Sequence, residues 1–119
     1  MILIVDDQQD ICDVLMLFLQ REGYSTEIAN TGNVAIDKFK KIKPELVFLD
    51  IRLPDINGID VLKSIKEVNK DIPVIMITAF RDAEKVVEAF RLGAYDCIFK
   101  PFDFKYVKTA MISSIGKKK

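Results

Sequence analysis

Five polar residues of this chain each stand directly behind a short apolar run. Ile2-Leu3-Ile4-Val5 leads into Asp6 and Asp7, Leu46-Val47-Phe48-Leu49 into Asp50, Val74-Ile75-Met76-Ile77 into Thr78, and Cys97-Ile98-Phe99 into Lys100. If the runs are neighbouring strands, three carboxylates crowd into one crevice, where mutual repulsion disfavours full ionisation. A hard divalent cation relieves that repulsion, and oxygen ligands with room for water suit Mg²⁺. Beside such an ion one aspartate becomes useful as a nucleophile toward phosphorus, giving an acyl phosphate. Phosphoryl transfer asks for in-line placement and neutralised charge on the moving oxygens. The Lys100 ammonium and the Thr78 hydroxyl would serve those oxygens. Asp50 is the expected nucleophile, because its run is central and its loop lies between the acidic pair and Lys100. Singly, each acid reads as an ordinary loop aspartate. Only the convergence of all five argues for a site.

Convergence depends on the elements. The three continuous apolar runs suit strands covered on both faces of a parallel sheet. Residues 24–29 are mixed in polarity, as an edge strand would be. Helical periods fill the gaps. Ile11, Val14, Leu15, Phe18 and Leu19 form a stripe that stops near Gly23 and is expected to be core, with Cys12 and Met16 to one side of it. Val34, Ala35 and Phe39 predict a second helix that ends before Pro44. Ile59, Leu62, Ile65 and Lys66 predict a third after Gly58, running to about Asn69. Ala83, Val86, Val87 and Phe90 predict a fourth that ends at Gly93, and Phe104, Val107, Met111 and Ile115 a fifth. The order is (βα)₅ with no repeat, linker or low-complexity insert. Right-handed crossovers then give an α/β, flavodoxin-like, doubly wound domain with a five-stranded parallel sheet in the order 2-1-3-4-5. Its ligand crevice opens at the carboxyl ends of the strands.

Composition narrows the function classes. A length of 119 residues suits one domain with a sizeable core, and 50% hydrophobic with 30% charged residues is a globular balance. Eighteen basic and eighteen acidic residues cancel, which argues against direct nucleic-acid binding. No apolar stretch nears the roughly 18 residues of a membrane span, and the opening residues lack a secretion signal. Cys12 and Cys97 are too few and too scattered for a disulfide framework or a zinc site, so reduced thiols in a cytoplasmic protein are expected. The absence of histidine removes Ser-His and Cys-His pairs, imidazole ligation and a phospho-histidine on this chain. Lys117-Lys118-Lys119 reads as a solvated tail or the start of a linker.

The segment Asp50-Ile51-Arg52-Leu53-Pro54-Asp55-Ile56-Asn57-Gly58 resembles the phosphoacceptor segment of response-regulator receiver domains, the CheY-like superfamily of two-component signalling. Val5-Asp6-Asp7, Thr78-Ala79, Gly93-Ala94 and Lys100-Pro101-Phe102 match that family's other landmarks in order and spacing. The resemblance covers essentially the whole chain, so residues 1–119 are expected to be one receiver domain without an output domain. It implies a phosphorylation-dependent switch in which Asp50 takes a phosphoryl group from the phospho-histidine of a sensor histidine kinase or a phosphotransfer protein. Asp7, Asp50 and the Arg52 backbone carbonyl would ligate Mg²⁺, and Asp6 would act through water. Lys100 would contact the phosphoryl group, Thr78 would move towards it, and the Lys100-Pro101 bond is expected to be cis. No turnover beyond self-phosphorylation and slow acyl-phosphate hydrolysis is implied.

The resemblance also implies partners. The donor would dock near helix 1, where Cys12 and Met16 are candidate contacts. An output domain, a downstream protein or a phosphorylation-dependent second copy would read the face of helix 4, strand 5 and helix 5, with Lys85, Glu88, Arg91, Lys105, Lys108 and Ile112 as candidate surface residues. Arg52 and Phe80 hold positions that in this family influence water access to the acyl phosphate, and together they are expected to slow hydrolysis. One departure stands out. Many members carry, three positions before the lysine, an aromatic ring that swings with the threonine. Here that position is Cys97, whose thiol cannot reproduce a ring swing. Tyr95 would share its side of the strand if the strand already begins there.

Three rivals fit less well. A haloacid-dehalogenase-type phosphatase needs Asp-x-Asp, but Arg52 holds the second position, and the chain lacks room for a cap. A flavodoxin-like electron carrier needs a hydroxyl- and amide-rich loop where Asp6-Asp7 would repel a phosphate. A receiver serving only as a binding module has no need of the intact set of five.

Overall fold

Runs that are apolar at every residue must be covered from both sides, and the fold does this by alternating strands with helices. The structure, a computed structural model, describes residues 1–79 and 83–116. The expectations for Phe80 and for Lys117-Lys118-Lys119 fall outside the described residues. In chain order the elements are β1 (Ile2–Val5), α1 (Gln9–Arg21), β2 (Thr26–Ala29), α2 (Gly32–Ile42) and β3 (Leu46–Asp50). They continue with α3 (Gly58–Val68), β4 (Val74–Thr78), α4 (Ala83–Arg91), β5 (Asp96–Phe99) and α5 (Phe104–Gly116). The sheet runs β2-β1-β3-β4-β5 with every neighbouring pair parallel, the order expected from the sequence. β1, β3 and β4 are buried at every position, whereas the edge strands are only partly so.

Strand alternation divides the core in two. Leu3, Val5, Val47, Leu49, Val74 and Met76 face α2, α3 and α4. Ile2, Ile4, Leu46, Phe48, Ile75 and Ile77 face α1 and α5. β2 begins at Thr26 rather than at residue 24, because the Tyr24 amide bonds back to the Leu19 carbonyl at 3.0 Å and completes the exit turn of α1. Gly23 (φ 94°) and Gly93 (φ 100°) end α1 and α4 in the left-handed region, as their glycines suggested.

The phase of α1 differs from expectation. Val14, assigned to the core stripe, is 50% exposed, whereas Cys12, assigned to its flank, is wholly buried. Cys12, Leu15 and Leu19 form the buried line at i, i+3 and i+7, and Val14 lies one residue's rotation away from it. Cys12 therefore offers no surface to a docking partner, and Met16 is half-buried. Val34, Val87 and Phe90 are likewise exposed; α2 buries Gly32, Ala35 and Phe39, and α4 buries Ala89.

Candidate functional site

An in-register parallel sheet brings strand ends to one rim. Val5 lies beside Leu49, Asp50 beside Ile77, and Thr78 beside Phe99, so the residues at or just past these ends share a crevice. The Asp6 amide still bonds the Ala29 carbonyl at 3.1 Å, and the Lys100 amide bonds the Thr78 carbonyl at 2.8 Å, which holds both past their strands. The resulting pocket, about 310 Å³, is lined by Asp7, Gln8, Asp50, Arg52, Leu53, Pro54, Thr78, Ala79 and Lys100. Asp6 lies beneath it, fully buried, while Asp7 is exposed.

The acids and the lysine meet as anticipated. One oxygen from each of Asp6, Asp7 and Asp50 lies within 4.8 Å of the others. Lys100 Nζ is 2.6 Å from Asp6 Oδ2, and it donates to Asp50 Oδ2 at 3.1 Å and to Gln8 Oε1 at 3.1 Å. Asp50 Oδ1 accepts from the Arg52 amide at 3.2 Å, and Asp6 Oδ1 from the Gln8 amide at 2.9 Å. The Asp6 carbonyl accepts from Asn30 Nδ2 at 2.9 Å and from the Cys12 thiol at 3.4 Å. The Lys100-Pro101 peptide is cis, as expected.

Charge is in conflict here. Burial, and then the Asp6 charge, push the Asp50 carboxyl up to about 6 from an ordinary 3.8, against the opposing pull of Lys100 and the Arg52 amide. Burial alone would lower the Lys100 pKa, but the Asp6 contact and the charges of both acids outweigh it and raise it. Asp6 Oδ2 is buried and faces the Lys100 ammonium at 2.6 Å. Three carboxylates with one oxygen each within 4.8 Å of the others form a hard-oxygen donor set that could hold a metal ion, and the chemistry fits a small divalent cation. Burial raises both thiols, Cys12 to about 12 and Cys97 to about 11, so both stay protonated near neutral pH.

Other expectations fared unevenly. Glu88, Arg91, Lys105, Lys108 and Ile112 are exposed and Lys85 is half-buried. Lys108 is paired with Glu22 at 3.2 Å. Tyr95 does not share the side of Cys97. β5 starts only at Asp96, and Tyr95 packs on the α1/α5 half of the core while Cys97 packs on the other. Gln8, Asn30 and Asp55 were given no role from sequence. Asp55 accepts from the Gly32 and Asn33 amides at 2.8 and 2.9 Å, tying the loop after β3 to the start of α2. Gln8 did leave a signal, since a glutamine stands where helix starts favour Ser, Thr, Asp or Asn.

Comparison with known proteins agrees with this fold. A model of the response regulator receiver domain matches residues 2–112. The chain is 41% identical over 102 residues to the regulatory protein AtoC of Escherichia coli, covering 86% of this chain but 22% of that protein. It is 39% identical over 110 residues to sporulation initiation phosphotransferase F of Bacillus subtilis, covering 92% of this chain and 89% of that one. The receiver domain of NtrX from Brucella abortus superposes with a TM-score of 0.92 at 36% identity, covering 98% of both chains. Relatives of the AtoC and ZraR kind are about four times longer, and the chain spans 22% to 26% of their length.

Proposed function

The chain belongs to the response regulator receiver domain family, and from that membership we propose that it is a phosphorylation-dependent signalling switch with Asp50 as the phosphoacceptor. One observation carries this reading: Asp6, Asp7, Asp50 and Lys100, separated by up to ninety-odd residues, converge on one pocket at the strand ends. A carboxylate oxygen of Asp50 attacks phosphorus in line. As the new P–O bond forms, the P–N bond to the donor histidine breaks and the imidazole leaves. Asp7, Asp50 and the Arg52 carbonyl would hold Mg²⁺, with Asp6 acting through water. When bound, the ion neutralises the crowded acids and the phosphoryl oxygens. Lys100 exchanges its contact with Asp50 for one with the phosphoryl group, and Thr78 donates its hydroxyl from the neighbouring strand end. Attack of water on phosphorus returns free Asp50 and inorganic phosphate, so the chain resets itself without acting on any other substrate.

The proposed donor is the phospho-histidine of a sensor histidine kinase or a phosphotransfer protein. An output domain, a downstream protein or a second copy would read the new state on the α4-β5-α5 face, where Glu88, Arg91, Lys105 and Ile112 are exposed. Among the described residues no helix is long and apolar enough to cross a membrane. Two unpaired, protonated thiols favour the reducing cytoplasm as its compartment. Incubation with acetyl phosphate and Mg²⁺, followed by intact-mass measurement, tests the reading. One added phosphoryl group is expected, absent without Mg²⁺ and absent in Asp50→Asn. A wild-type chain that gains no mass, or an Asp50→Asn chain acylated in this pocket, would overturn it.

A further inference from the structure

Gln8 holds the N-cap position of α1 yet makes no side-chain cap, so the helix forgoes a bond that Ser, Thr, Asp or Asn would make there. Its backbone is pinned instead, the amide donating to Asp6 Oδ1 at 2.9 Å. The side chain reaches away from the helix to Lys100, ninety-two positions along the chain, with Oε1 3.1 Å from Nζ. Among the described residues the ammonium has three partners: two carboxylates, Asp6 and Asp50, and this one neutral carboxamide. The carboxylates belong to the acid cluster that a cation and a phosphoryl group would claim. Gln8 does not, and it also lines the pocket mouth. Only an oxygen can face an ammonium, so Oε1 points at Lys100 and the Nε2 donors are directed elsewhere.

We propose that Gln8 is a positioning residue for phosphoryl transfer: its carboxamide oxygen keeps the Lys100 ammonium aimed across the Asp50 pocket once the carboxylates have been claimed. This rests on the phosphoacceptor reading above. The covalent step is unchanged, with Asp50 oxygen bonding to phosphorus as the donor's bond to phosphorus breaks. Gln8 exchanges no atom or proton; it fixes where the cation stands as the phosphoryl oxygens arrive. Misplacing such a group weakens electrostatic stabilisation even when the group itself is intact.

The test compares wild type, Gln8→Leu and Gln8→Glu, using acetyl phosphate with saturating Mg²⁺. Gln8→Leu keeps the bulk and removes the acceptor, whereas Gln8→Glu keeps an acceptor oxygen at the same reach. Because the side chain caps nothing, neither change should unfold the domain. For Gln8→Leu the maximal phosphorylation rate should fall roughly tenfold. Its Mg²⁺ dissociation constant should stay within about twofold, because the three acids remain. The ¹⁵N ammonium resonance of Lys100 should be seen in wild type and broaden away in the leucine variant. Gln8→Glu should restore that resonance and the maximal rate while raising the half-saturating donor concentration, since its charge repels an anionic donor. Equal rates and an unchanged Lys100 resonance in Gln8→Leu would overturn the inference. So would a loss of Mg²⁺ affinity parallel to the loss of rate, which would make Gln8 a support for the acids instead. A wild-type chain that takes no phosphate would overturn the phosphoacceptor reading itself, a distinguishable result.

Discussion

Asp50 is held where its own charge is unwelcome. Buried beside Asp6, it keeps its proton up to about pH 6, against 3.8 for a free aspartate, even with Lys100 at 3.1 Å. A group that binds its proton more tightly when folded adds stability in full below its unfolded pKa, and that share disappears as pH rises through the folded value. The metal-free protein should therefore lose stability between about pH 4 and 6 on account of Asp50. Asp50→Asn removes the charge and keeps the shape. In EDTA at pH 7 it should melt a few degrees above wild type, and its advantage should vanish near pH 4. Thermal melts across that range would decide it, and a variant that melts lower at neutral pH would mean that the Lys100 pairing outweighs the repulsion. At this scale the site was largely legible. Apolar runs announce strand ends, and Asp6, Asp7, Asp50, Thr78 and Lys100 follow those runs directly. The partners of Gln8 and Asn30 were not legible, because their contacts with Lys100 and the Asp6 carbonyl depend on how three loops meet.

Between residue and fold, the loops and helices decide how firmly the site is held. Gly58, which opens α3, donates its amide to the Ile51 carbonyl at 2.8 Å. A Cβ there would lie 2.1 Å from the Asp50 carbonyl oxygen and 2.7 Å from Ile51 Cα, both backbone atoms that cannot turn aside. Gly58→Ala should thus destabilise by about 2–4 kcal/mol in urea unfolding. The alanine should also slow phosphorylation in the molecules that still fold, because the Asp50 loop must shift. Full stability and rate would show that the loop yields freely. The α1 phase yields a paired expectation. Leu15→Ala should cost about 2–5 kcal/mol and Val14→Ser less than about 0.5, since Leu15 is wholly buried and Val14 is 50% exposed. Equal losses would contradict the observed phase. The helical period of α1 was plain in the sequence but its phase was not. Residues 11–19 are apolar at every position except Asp13, so several stripes of equal width fit the same letters, and only packing against β1 and β2 selects Cys12, Leu15 and Leu19.

As a whole molecule the domain is a sheet with a half-core on each face and its charge conflict at one rim. The topology was readable because an edge-like second strand and right-handed crossovers leave few other orders for five parallel strands. Comparison adds what the chain alone could not: longer relatives carry this unit as about a quarter of their length, while sporulation initiation phosphotransferase F consists of little else. If the acid cluster takes up the proposed cation, stability and ion binding are linked. A ligand that binds only the folded state stabilises it by RT ln(1 + [L]/Kd), about 2.7 kcal/mol at one hundred times Kd. For a domain of 119 residues that corresponds to a rise of several degrees in Tm. Wild type should therefore melt higher in Mg²⁺ than in EDTA, with the gain following a single-site curve. Asp7→Asn should melt at least as high as wild type in EDTA and gain little from Mg²⁺, because Asp7 is exposed and contributes charge to the cluster without filling the core. Should Asp7→Asn respond to Mg²⁺ as strongly as wild type does, the ion that stabilises the fold would have to sit away from these acids, and the link between rim charge and stability would fail.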